Sequence, residues 1–304
     1  MLRFLPGLFI LFFSINLFGQ QQATFSQYMF NGLAINPAYA GSQGVLTATA
    51  LARYQSLGLE GAPNTQSFAL HSPLLNDNIG VGLLFVRDNI SIINQYSVNA
   101  IYAYRINFSE WNNLAFGVQA GINSLDAAYS EAKIQNPNDP AFQEDITSTR
   151  PNFGFGIFYQ TQKYFIGAAI PQLANNVFDR GPSLTTIQQD NPIILNGGYI
   201  MSLSRAIKFK PSALLKMVGG KIVEYNVNGQ LSFDDILWVG ASVKLLTAVD
   251  VLTELQITRQ LRIGYAYTHT INDLNVIDLG SHEVMVSYRF LFPPKEGLIS
   301  PRYF

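Results

Sequence analysis

The sequence predicts an all-β chain: a transmembrane, antiparallel outer-membrane β-barrel of about fourteen strands, led by a short N-terminal segment. Three observations carry that prediction. Apolar residues recur with a period of two along most of the chain from Val45 onward. The opposite face of the same stretches is small or neutral-polar, and charged residues make up only 13% of the chain, about half the share of an ordinary soluble domain. No later stretch reaches about 18 consecutive apolar residues, so a membrane location requires a closed barrel, in which every backbone polar group finds a partner.

Residues 1–19 have the layout of a secretory signal. Arg3 supplies the positive start, Leu8 to Phe13 with Ile15, Leu17 and Phe18 the apolar core, and Gly19 a small residue at the cleavage point. An uncleaved anchor is the alternative, and the short apolar run followed at once by "QQQ" argues against it. Residues 20–42 come next. They contain "FSQYMFNGLAINPAYAGS", which has neither a strand nor a helix period and is nonetheless rich in Tyr, Phe, Asn and Pro. Pro37 cannot donate to a strand ladder, and its ring biases Asn36 towards extended geometry.

The barrel is expected over residues 43–291 and a tail over 292–304. "IGVGLLFV" puts Ile79, Val81, Leu83 and Phe85 against Gly80 and Gly82. "NNLAFGVQAGIN" opposes Leu114, Phe116, Val118, Ala120 and Ile122 to Ala115, Gly117, Gln119 and Gly121. In "PNFGFGIFYQ", Phe153, Phe155, Ile157 and Tyr159 face away from Gly154 and Gly156. "QLRIGYAYTHT" and "HEVMVSYRF" repeat the pattern near the end of the chain. A water-soluble sandwich also alternates, but its outer face carries Lys, Glu, Thr and Arg. Here that face is mostly Gly, Ala, Ser, Asn and Gln, which suits a crowded lumen.

Strands are expected at about 45–54, 64–72, 79–87, 93–106, 113–122, 152–160, 163–170, 192–203, 206–217, 222–233, 235–245, 248–257, 260–270 and 281–291. Aromatics gather near strand ends, as Tyr96, Tyr102 and Tyr104 do, where an interfacial girdle wants them. "TQK" near Thr161, "FDD" near Asp234 and "VGGKI" read as tight turns. Three connections are long: Asn123 to Arg150, Pro171 to Asn191 and Ile271 to Ser281. Long loops of an outer-membrane barrel face outward and short turns face the periplasm.

Composition removes several chemistries. With no cysteine, disulfides, thiolate metal sites and cysteine nucleophiles are excluded. A net charge of −1 without a basic block argues against nucleic acid. His71, His269 and His282 lack metal-ligand spacing. Ser67 and His71 sit in "GAPNTQSFALHSP", which has no G-x-S-x-G elbow, so the expectation is no enzyme, no cofactor and no metal. Asp234 with Asp235, and Asn136 to Pro140, lack the spaced oxygens of a calcium loop. Arg53, Arg87, Arg105, Arg262 and Arg289 fall on the more polar face wherever alternation is legible, within reach of Asp88, Glu254 or Glu283 across a lumen.

On these residues the chain resembles the PorP/SprF family of type IX secretion system membrane proteins of Bacteroidetes. Ser26, Gln27, Tyr28, Asn31, Asn36, Pro37, Ala38, Tyr39, Ala40 and Gly41 match that family's N-terminal run, and Thr24 stands where a Gln is usual. "RYQSLGLEGAPNTQSFALHSPL" is similar to a further family stretch, with Ser56 where a Trp is common. "FGFGIFYQTQKYFIGAAIPQL", "KPSALLKMVGG", "WVGASVK" and "HEVMVSYRF" resemble later strands.

The resemblance implies a monomeric outer-membrane barrel within a larger complex, serving type IX secretion and gliding motility. Its expected partners are outer-membrane lipid, an adhesin-like secreted surface protein, and periplasmic secretion or motility components. A channel for small solutes is the alternative. Gln27, Tyr28, Asn36, Pro37 and Tyr39 are expected either to close the barrel as a packed lead-in or to dock the secretion machinery. Tyr288 and Phe290, ending the last strand in "VSYRFLF", are the expected barrel-assembly signal, with "PRYF" as a rival.

Overall fold

The structure is a computed structural model that describes residues 25–74, 77–109, 111–131, 144–173, 176–178, 187–189, 191–244, 247–271 and 279–291. The expected signal sequence, residues 20–24, the "NPNDP" stretch and the tail from 292 lie outside the described residues.

Fourteen strands form a closed antiparallel barrel. They are β1 Leu46–Tyr54, β2 Asn64–Leu74, β3 Ile79–Ile90, β4 Ile93–Asn107 and β5 Asn113–Ala127. Then follow β6 Ile146–Gln160, β7 Tyr164–Ile170, and β8, which runs Ile193–Tyr199 and resumes at Met201–Ser202. The rest are β9 Ile207–Val218, β10 Lys221–Phe233, β11 Leu237–Lys244, β12 Ala248–Gln256, β13 Leu261–Thr270 and β14 Ser281–Phe290. Each strand pairs with its neighbours in sequence, and β14 pairs with β1 to close the ring, Leu46 opposite Phe290 and Arg53 opposite Glu283. Closure leaves no sheet edge, which is what a bilayer demands.

The alternation divides the two faces as expected. On β5, Phe116, Val118 and Ile122 are exposed while Ala115 and Gln119 are buried. On β13 and β14, Tyr265, Val284 and Val286 face out while Ala266, Glu283 and Met285 face in. Near one end the outer face carries Tyr104, Tyr164, Tyr199, Phe233 and Phe290, a partial aromatic girdle. Because the strands alternate in direction, the connections at 161–163, 203–206, 234–236 and 257–260 share one end, here the turn end, with the start of β1 and the end of β14. The connections at 55–63, 128–145, 171–192 and 271–280 share the opposite loop end.

Four expectations need correction. The connection expected from Asn123 to Arg150 is shorter, because β5 runs on to Ala127 and β6 begins at Ile146, pairing along their whole length. Leu125 and Ala127 are buried there with Tyr129, so the ladder is held by packing of its own beyond Ile122. The connection from Pro171 contains a short antiparallel pair, Asn176–Phe178 with Ile187–Gln189. The eighth strand is interrupted at Ile200, whose amide bonds the Lys163 carbonyl instead of β9. Finally, Arg87 has the outward parity of Leu83 and Phe85. It lies towards the loop end, with its guanidinium 5.8 Å from the Tyr96 ring centroid. Arg53, Arg105, Arg262 and Arg289 have the inward parity.

Candidate functional site: the segment inside the barrel

Residues 25–44 occupy the lumen. They form three single turns of 3-10 helix, Tyr28–Phe30, Gly32–Ala34 and Pro37–Tyr39, which explains the missing period: no turn is long enough to repeat. The third turn is capped locally. The Asn36 side chain accepts the Ala38 amide at 2.9 Å, and Pro37 holds the first helical position, where a missing N–H costs nothing. Ser26, Gln27, Tyr28, Leu33, Asn36, Pro37, Ala38 and Ala40 are all buried.

The segment descends from the loop-end half to the turn end, and its two halves meet different walls. Its first residues face β9 to β14. There the register places Ser212, Asn228, Ser242, Asp250, Thr268 and Ser281 side by side on successive strands, a belt of buried polar side chains. Next to the belt, Glu283 accepts the Ser26 amide at 2.8 Å and the Gln27 amide at 2.7 Å, and pairs with Arg53 at 3.2 Å. The Ser26 hydroxyl oxygen accepts from Arg53 at 2.6 Å and from Lys244 at 3.0 Å. With both lone pairs used, its proton goes to Thr268 Oγ1, 3.1 Å away. Lys244 also faces Asp250 at 3.4 Å. A buried ion pair holds only when further hydrogen bonds satisfy it, and here the segment supplies them.

The last residues face β2 to β7 and press against backbone. Asn36 donates to the Ile157 carbonyl at 2.9 Å, Arg105 donates to the Ala40 carbonyl at 3.0 Å, and the Gly41 amide donates to His71 Nδ1 at 3.1 Å. A Cβ on Gly117 would stand 2.1 Å from the Ala38 nitrogen, and one on Gly80 2.1 Å from the Ala40 carbonyl oxygen. The small face of these strands is therefore a groove fitted to the segment. Tyr39 packs edge-on to both His71 and Phe158, with ring centroids 5.5 Å apart in each case.

Burial raises both phenols of the segment, Tyr28 to about 12, against the opposing hydrogen bond between its hydroxyl and that of Ser212 at 3.4 Å. Gln43 donates to the Tyr39 hydroxyl at 2.6 Å.

The structure thus brings Gln27, Tyr28, Asn36, Pro37 and Tyr39 together inside the lumen. Tyr288 and Phe290 lie elsewhere, on β14 near the turn end, with ring centroids 4.8 Å apart. Ser67 accepts from Asn31 at 3.2 Å and His71 from Gly41, so each serves the segment, and neither is bonded to the other. His269 and His282 have the outward parity, His282 bonded to the Tyr265 hydroxyl. Among the described residues no three His, Asp or Glu side chains converge on a metal position. Asp235 pairs instead with Lys208 at 2.6 Å. Sequence reasoning missed Lys244, Asp250 and the Asn228 belt. The available signal was the run of alternate polar residues in "EYNVNGQLS".

Residues 17–288 match the family described as type IX secretion system membrane protein PorP/SprF. The chain belongs to that family. Comparison with curated proteins gave no match. Among solved structures, the chain is similar in fold to a FadL homologue of Pseudomonas aeruginosa, at TM-score 0.50 and 12% identity, covering 87% of this chain and 94% of that one. The outer membrane protein Omp33 of Acinetobacter baumannii aligns at TM-score 0.45 and 9% identity, over 81% of this chain and 98% of its own. At such identities the likeness concerns the barrel fold alone. This PorP/SprF chain is an outer-membrane type of barrel whose N-terminal segment, residues 25–44, lies within its own lumen.

Proposed function

We propose that this chain is a plugged, non-enzymatic outer-membrane barrel of the type IX secretion and gliding system. It binds an adhesin-like secreted surface protein and helps export or anchor it. The long loops at the loop end face the cell exterior and hold that protein. The turn end faces the periplasm and meets secretion or motility components, with the barrel acting as a monomer inside the larger complex.

One observation carries this reading: residues 25–44 make contacts around almost the whole inner wall, from Arg53 on β1 through Gly117 on β5 to Ser212 on β9 and Glu283 on β14. A lumen so filled favours display over conduction. The same burial favours a plug over a docking motif for Gln27, Tyr28, Asn36, Pro37 and Tyr39, since buried side chains offer a partner no surface.

Two experiments test the reading. Mild crosslinking in native membranes, followed by isolation of the chain, should recover a large secreted protein together with periplasmic components. Recovery of the barrel alone from cells whose surface proteins are exported normally would contradict the anchoring role. Replacing Tyr28 and Tyr39 together by Ala separates plug from docking motif. A loosened or lost barrel fits the plug, whereas an intact, closed barrel with export lost assigns the pair to docking.

A further inference from the structure

A second lumen feature lies at the turn end, on the side of β1, β2, β13 and β14. A small cavity opens there between the 3-10 turns and the wall, with room for about 20 Å³ of solvent-sized occupancy. Arg262 and Arg289 line it, with Tyr39, Gln43, Thr49 and Ser287. Both guanidiniums donate to a single acceptor, Gln256 Oε1, at 3.0 and 3.1 Å. Among the described residues one carboxylate pairs with either of them, Glu254, which lies 2.8 Å from Arg262 Nε. Two partly buried cations against one carboxylate leave a positive charge uncompensated, in surroundings where like charges repel strongly. Among the described residues Arg262 donates through Nε and Arg289 through one Nη, which leaves most N–H groups of the two forks without a partner there. The turns at the same end carry Lys163, Arg205 and Arg259 and also Asp77, Asp234 and Asp235, the last paired with Lys208.

The geometry points to an oxyanion receptor at the turn-end mouth, formed by Arg262 and Arg289 and taking a carboxylate of an acidic segment on a periplasmic partner. A planar carboxylate presents two oxygens to a guanidinium fork, and a side-chain carboxylate carried on a peptide can reach into so narrow an opening. This site deepens the reading of the turn end as the face that meets periplasmic components, and it rests on that orientation.

The test uses the full-length barrel in detergent, a fluorescein-labelled oligoglutamate peptide read by anisotropy, and inorganic phosphate as competitor. The double variant Arg262→Gln/Arg289→Gln should weaken peptide binding by about tenfold or more, with the heat-modifiable migration of the folded barrel unchanged. Arg205→Gln, on the rim, should weaken it less. Equal binding by the double variant and the parent overturns the site, as does an equal loss from Arg205→Gln. Phosphate displacing the peptide at equimolar concentration would overturn the carboxylate assignment. Export in cells is scored separately: peptide binding lost with export intact leaves the receptor standing and removes the docking role of the turn end.

Discussion

The two halves of the luminal segment are held by different physics. Residues 26–28 are held by charge and reach: Glu283, Arg53, Lys244 and Thr268 converge on two amides and one hydroxyl. Residues 36–41 are held by shape, laid against strands whose glycines let backbone approach backbone. Water can replace polar contacts when a segment leaves, but nothing replaces a fitted groove. The difference assigns anchoring to the turn-end half and makes the loop-end half the one whose grip depends on ionisation.

The largest effect should come from breaking the charged half. Glu283→Ala strands Arg53 in the lumen and removes the acceptor of two amides, a loss of about 3–5 kcal/mol. It should appear as a lower temperature of the heat-modifiable transition, with proteolysis entering the segment near Ser26. Breaking the fitted half is next. Gly117→Ala forces a carbon against the Ala38 nitrogen and should cost about 1–3 kcal/mol, displacing Pro37 and Ala38 while leaving Ser26 protected. Gly197→Ala, whose nearest neighbour is the Phe165 carbonyl oxygen at 3.3 Å, serves as the milder control.

A third contrast uses pH. The folded-state pKa of Tyr28 is raised from 10.0 to about 12, so between those values the folded chain keeps a proton that the unfolded chain has lost. Stability from this group is complete below pH 10 and falls as pH rises towards 12. Ultraviolet titration of tyrosinate should show one delayed phenol fewer in Tyr28→Phe than in the parent, with Tyr39 delayed in both. The smallest effect lies outside the lumen. Tyr288→Ala/Phe290→Ala removes one aromatic pair, worth about 0.5–1.5 kcal/mol, and should refold in detergent yet insert poorly in cells if the pair is the assembly signal. Truncation before Val284 is a blunter test, because β14 also closes the ring with β1.

The barrel wall was legible because lipid imposes a simple rule, one apolar residue in every two, on each span. Where the lipid stops, the rule stops, and so the extension of β5 through Asn123 and Leu125 went unseen, as did the outward turn of Arg87. The candidate site was legible only as composition. The glycines at 80, 117 and 156 announced a crowded lumen, and "FSQYMFNGLAINPAYAGS" announced an ordered segment, but periodicity cannot say that one fits into the other. The pairing of Arg53 with Glu283 was within reach of sequence reasoning, since both sit on polar faces. The convergence of Ser26 and Lys244 upon them depends on a register across β11 to β14 and β1 that no local pattern encodes.

Osmotic swelling of liposomes containing the purified full-length chain tests the central claim most directly. With residues 25–44 seated, vesicles loaded with the chain should swell in small sugars no faster than empty vesicles. Swelling at the rate of an open porin of the same size would contradict it.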